Sequence, residues 1–167
     1  MTVTAELRSD IEQLLYREGR FLDRHEWEAW LDLYTPDVTY WVPAWKSEHE
    51  PTSCPQSELS LIYYSGRNGL EDRVVRATSG QSPASNPLAR TVHTASNVVV
   101  DQAGPDELLV SSAWTTHVYQ PLDRDAFALF GHAEYRLRRH EGAWKIAAKK
   151  TVIVNEALPA VIDFYHL

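Results

Sequence analysis

Apolar positions in the first third of the chain follow two successive periods. Leu7, Ile11, Leu14, Leu15 and Leu22 recur at helical spacing through residues 5–22, with Thr4 placed to cap the first turn. Trp27, Trp30, Leu31 and Tyr34 then fall at i, i+3, i+4 and i+7, which predicts a second helix whose opposite face is Glu26, Glu28 and Asp32. Asp23, with Glu26 three residues on, marks the start of that helix, where acidic side chains meet the positive end of the helix dipole. Pro36 ends it, because proline lacks an N–H and pushes Thr35 out of helical conformation. From Val38 the period becomes two: Val38, Tyr40 and Val42 point one way, Thr39 and Trp41 the other, which is a strand. Residues 21–45 hold four of the six tryptophans, so helix and strand are expected to form two walls of one core.

Residues 46–57 are polar, contain two prolines and read as a loop. Leu59 to Tyr64 reads as a strand, Ser65-Gly66-Arg67-Asn68-Gly69 as a turn, and LEDRVVRAT as a third helix with Leu70, Val74 and Ala77 at helical spacing. Residues 79–89 form a Ser/Pro loop. From Arg90 the texture is β: segments 91–100, 107–119, 126–139 and 143–155 are separated by AGPD, PLDRD and HEGA. Alternation is clearest where Phe127, Leu129, Gly131, Ala133, Tyr135 and Leu137 oppose Ala128, Phe130, His132, Glu134 and Arg136. Short connections between long strands imply antiparallel neighbours, and Gly131 in mid-strand suggests a bulge or bend. Helices followed by a meander describe an α+β domain in which a curved sheet wraps the N-terminal helices as an open cone.

A chain of 167 residues, 44% of them hydrophobic, suits one domain spanning 1–167. No run of 18 apolar residues and no charged-then-apolar leader occurs, so a soluble, cytoplasmic protein with no membrane partner is expected. The formal charge of −7 argues against nucleic acid. Cys54 is the single cysteine; it excludes an internal disulfide and leaves no thiolate pair for an iron–sulfur or zinc site. There is no helical two-histidine motif, no Gly-x-Ser-x-Gly elbow, and Gly66, Gly69 and Gly80 are too scattered to cradle a phosphate. An aromatic-lined cone could still be an active site, with His93, His117, His132, Tyr135 and Asp32 as acid, base or orienting groups. A pocket His and Asp could drive a dehydration or isomerisation, and a plain small-molecule binding module is a third reading. The basic cluster Arg136, Arg138, Arg139 and His140 reads as a solvated strand face that opposes edge pairing.

The stretch LIYYSGRNGLEDRVVR crowds Tyr63, Tyr64, Arg67, Asp72 and Arg73 around a turn and a short helix. Tyr and Arg are favoured at the energetic centres of interfaces, so these five are candidate subunit contacts. The bland alternative is that the tyrosines cap the cone and the charges pair on the surface.

Four stretches, LLYREGRFLDRHEWEAWLDLYTPDVTYWVPAW, PQSELSLIYYSGRNGLEDRVVR, ARTVHTASNVVV and VIDFYHL, cover about half the chain. They resemble, in order, the small (β) subunits of aromatic-ring-hydroxylating dioxygenases, in the branch acting on benzoate, toluate, anthranilate and halobenzoates. The resemblance implies a cystatin-like, NTF2-like cone. It also implies assembly with a large (α) subunit, three of each, that partner holding a Rieske [2Fe–2S] cluster and a mononuclear iron. It further implies a reductase that supplies NADH-derived electrons and a reaction in which both atoms of dioxygen enter the ring to give a cis-diol. It implies no catalytic residue, cofactor or metal ligand in this chain.

Overall fold

The computed structural model describes residues 2–155 and 157–167. The first helix, α1 (Ala5–Asp23), begins as expected: the Thr4 side chain accepts a hydrogen bond from the Leu7 N–H at 3.1 Å. It buries Ile11, Leu14, Leu15 and Leu22. The second helix, α2, is shorter than predicted, Trp27–Asp32, and Asp23 is the last residue of α1 instead of the start of α2. His25, with φ of 56°, makes the break between them. Tyr34 belongs to strand β1 (Tyr34–Pro43), which runs through Pro36. At Pro36 and Asp37 the strand has no ladder partner, because its pairing jumps from Tyr34 to Thr39, and a proline is tolerated at such an irregularity. The predicted alternation holds beyond it: Val38, Tyr40 and Val42 are buried, Thr39 and Trp41 half-buried.

The expected loop at 46–57 contains a small hairpin, β2 (Trp45–Ser47) with β3 (Glu50–Pro51). Strand β4 (Ser60–Ser65) follows, and helix α3 (Arg67–Thr78) starts three residues earlier than its apolar spacing suggests. Gly66, at φ of 96°, makes the sharp entry into α3 that the sequence presents as a turn. The four long strands are β5 (Arg90–Ala103), β6 (Glu107–Gln120), β7 (Asp125–His140) and β8 (Ala143–Ile153). Glu141 and Gly142 both take positive φ, 51° and 83°, in the two-residue turn between β7 and β8, as a tight hairpin requires.

The main sheet has the order β4-β1-β8-β7-β6-β5. It is antiparallel, as expected, except that β1 runs parallel to β8. Hairpin logic covers strands joined by short turns; β1 and β8 are joined by most of the chain, so their mutual direction is set by how the two ends of the sheet close. Curvature comes from register shifts in β5, between Ser96 and Val99 and between Val100 and Gln102, and opposite Arg136/Leu137 in β8. Asn97 takes φ of 52° within the first of these. Gly131 is not at a bulge: its pairings with Trp114 and Ile153 are in register. Glycine is needed there because a Cβ would lie 1.9 Å from the Val152 carbonyl oxygen.

The core fills the concave side. Trp30 and Tyr40 are fully buried, and Trp30 stacks on Phe164 at 4.9 Å and meets Tyr34 edge-on at 5.0 Å. Phe164 comes from a single 3-10 turn, Phe164–His166, so the segment VIDFYHL closes the cone from below.

Candidate functional site

Two regions bear on function: the surface around β4 and α3, and the inside of the cone.

On the surface, the five candidate contacts do not form one cluster. Tyr63 pairs with Trp41 and Tyr64 with Tyr40, so consecutive tyrosines point to opposite faces of β4. Tyr63 is on the outer face, where its hydroxyl accepts from Gln56 Nε2 at 3.3 Å. That face continues across the sheet through Trp41 and Lys150, whose ammonium lies 5.5 Å from the Trp41 ring. Tyr64 is on the core face, packed where a Cβ on Gly69 would come within 2.8 Å of its ring. Arg67 pairs with Glu71 along α3 at 3.0 Å, and Asp72 is exposed. Arg73 is engaged inside the fold: it donates to both oxygens of Asp163, at 2.6 and 3.3 Å. Asp163 in turn caps the closing turn by accepting from the Phe164 N–H, and the Asp163 N–H donates to His166 Nδ1. Arg73 therefore fastens the chain's closing segment to α3.

Inside the cone lies a buried ion pair that the sequence reading missed. Lys149, from β8, donates to Glu18 Oε1 at 2.7 Å, and both side chains are 4% exposed. The Tyr34 hydroxyl donates to the same carboxylate oxygen and Tyr135 to the other at 3.3 Å. Lys149 also donates to the Leu167 carbonyl at 3.4 Å and sits 5.5 Å from the Tyr40 ring. Burial, and then the charge of Glu18, push the hydroxyls of Tyr34 and Tyr135 well above the usual range, so both remain donors. A signal was present: Glu18 occupies the apolar stripe Ile11, Leu14, Leu15, Leu22 of α1, and Lys149 the inward alternation of β8. A charge at a position that should be buried implies a partner.

The histidines fall out differently from expectation. His117 and His132 are exposed on the outer face and pair with Ala128 and Ala113, so they stand about four residues, roughly 13 Å, apart along β6. Asp32 is exposed and bonds Lys145 at 2.9 Å. Of the groups considered for a dehydratase, His117, His132 and Asp32 lie outside the cone, whereas His93 and Tyr135 line its cavity. Of these three histidines His93 alone reaches the interior, with Asp23 as its partner. Asp23 accepts from His93 Nδ1 at 2.5 Å, from the His93 N–H at 3.0 Å and from the Thr91 hydroxyl at 2.8 Å. Burial would raise its pKa, but these bonds and the His93 charge hold it below the ordinary value. Gly19 allows the approach, since a Cβ there would lie 2.7 Å from His93 Cβ. Between α1 and the sheet remains a cavity of about 310 Å³, lined by Leu15, Glu18, His93, Trp114, Thr116 and Lys149 among others. Among the described residues no group of three or more His, Cys, Asp or Glu is arranged to hold a metal ion, and no helix is long and apolar enough to cross a membrane.

The fold is a curved sheet closed over α1 with a buried Glu18–Lys149 ion pair inside it. Residues 17–160 match the family described as "Ring hydroxylating beta subunit", and the chain belongs to that family. It is 39% identical to the toluate 1,2-dioxygenase subunit beta of Pseudomonas putida over the full length of both chains. It is 38% identical to the benzoate 1,2-dioxygenase subunit beta of Acinetobacter baylyi, covering 94% of this chain and 92% of that one. The crystal structure of the benzoate 1,2-dioxygenase beta subunit from Burkholderia mallei superposes with a TM-score of 0.80 at 36% identity, covering 100% and 99% of the two chains. A Nostoc punctiforme protein with a cystatin-like fold matches at a TM-score of 0.63 and 18% identity, covering 95% of this chain and 98% of that one, which extends the likeness in fold alone.

Proposed function

We propose that this chain is the non-catalytic small subunit of a Rieske non-haem iron dioxygenase that cis-dihydroxylates a benzoate-type aromatic acid in the cytoplasm. The observation that carries this reading is identity of 38–39%, over nearly whole chains, to subunits named for benzoate and toluate dioxygenases. Cys54 is the single cysteine, and among the described residues no group of three or more His, Cys, Asp or Glu is arranged to hold a metal ion. The [2Fe–2S] cluster and the mononuclear iron belong, in this reading, to the large subunit, three copies of which assemble with three of this one, and a reductase delivers electrons from NADH. What this chain contributes is a rigid surface on which the iron-bearing subunits are held in register.

The contact surface is assigned to Tyr63, Arg67 and Asp72, which face outward, with Tyr64 and Arg73 fixing β4 and α3 from behind. Replacing Tyr63 and Arg67 by Ala should leave the fold intact and weaken assembly with the large subunit by about 2 kcal/mol each, roughly thirtyfold in affinity. Co-purification and sedimentation of the two subunits read this out. Unchanged assembly of a folded double variant would move the docking surface elsewhere on the chain. Oxygenated product from the isolated chain would refute the non-catalytic reading itself.

A further inference from the structure

We propose that the cavity between α1 and the concave face of the sheet is a binding site for an uncharged, single-ring hydroxylated molecule, of which phenol is the simplest. Its volume of about 310 Å³ lies at the lower end of the range for ligand sites, which suits one ring. Leu15, Ala95 and Trp114 supply apolar wall, and Tyr16, 43% exposed, stands at the rim.

The polar part of the wall decides the class. Among the lining residues Lys149 is already neutralised by Glu18 at 2.7 Å, and the His93 ring is held by the Asp23 carboxylate at 2.5 Å. A ring bearing a carboxylate would therefore enter without a free positive partner and be left desolvated, at a high cost. A hydroxyl meets the opposite situation. Thr116 Oγ1, Thr151 Oγ1 and His93 Nε2 are buried without a hydrogen-bond partner, and all three residues line the cavity. Glu18 Oε2 carries one long bond, 3.3 Å from Tyr135, and has a lone pair to spare. With Nδ1 bonded to Asp23, His93 Nε2 is left to the cavity. One ring hydroxyl can donate to Glu18 while accepting from a threonine, with His93 Nε2 beside it, which satisfies groups the protein alone leaves unmet.

The inference is independent of the subunit's place in an oxygenase and is tested on the full chain. Phenol is titrated while Trp fluorescence and thermal unfolding are followed, with benzoate as the anionic control. The expected result is a saturable rise in Tm with phenol and none with benzoate. Thr116→Val and Thr151→Val keep side-chain shape and remove unpartnered hydroxyls, so each should hold the ligand-free Tm while weakening phenol binding about three- to tenfold. Ala95→Leu, which fills the space, should abolish binding. No saturable response, an equal response to benzoate, or phenol binding untouched by all three substitutions would overturn the proposal.

Discussion

Lys149→Met isolates the interaction on which the interior depends. In the folded protein the Lys149 ammonium and the Glu18 carboxylate are both 4% exposed, 2.7 Å apart, with Tyr34 and Tyr135 donating to the same carboxylate. Removing one partner leaves the other charge buried with incomplete compensation, which costs about 3–5 kcal/mol. Methionine keeps most of the lysine stem in place, so little of the loss should come from packing. Glu18→Gln should cost a similar amount, since the ammonium is then the unmatched charge. The double variant retains two tyrosine hydroxyls bonded to a neutral amide and leaves no buried charge at this position. It should be far less destabilised than the sum of the singles, with a coupling of about 2 kcal/mol or more. Urea unfolding of the four proteins, with midpoints and slopes fitted together, reads the cycle directly. Additive effects below about 1 kcal/mol each would mean that the pair is hydrated in solution, and the account of the cone interior as a closed polar cluster would fail.

Two further outcomes follow from single residues. Burial, only partly offset by the opposing pull of Asp163, sets the His166 pKa at about 4 in place of 6.5. Below pH 6.5 the unfolded chain takes up a proton that the folded one refuses, so stability falls as pH drops from 6.5 to about 4, by about 3 kcal/mol across the window. His166→Gln should lose that part of the pH dependence, and unchanged dependence would show the imidazole to be solvated. Gly131→Ala should cost about 3 kcal/mol in urea unfolding, because the Cβ would lie 1.9 Å from a backbone oxygen that has no rotamer to escape into; a cost under 1 kcal/mol would mean the β7–β8 ladder is looser than described.

Period-two alternation in β7 and helical spacing in α1 were legible because each is an amphipathic element with one buried face. The boundary between α2 and β1 was not. Trp27, Trp30 and Tyr34 do share a core, but Tyr34 reaches it from a strand, and an i, i+7 match cannot distinguish that from helix. The parallel pairing of β1 with β8 was equally hidden, since it depends on contacts more than 100 residues apart. Among the candidate contacts, the alternation rule alone separates Tyr63 from Tyr64, whereas the engagement of Arg73 by Asp163 spans 90 residues and has no local signature. The Glu18–Lys149 pair lay between these cases: each charge was visibly out of place in its own element, and only the fold shows that the two answer each other.

The account's central claim is that this chain holds an iron-bearing oxygenase together without hosting its chemistry. Purification of the chain under native conditions from the cell that makes it, with iron analysis of every species containing it, tests this most directly. The prediction is co-elution with a larger subunit that carries all the iron, while the separated small chain is colourless and inert toward aromatic acids. Recovery as a lone species, or with a transition metal tightly bound to the small chain itself, would contradict it.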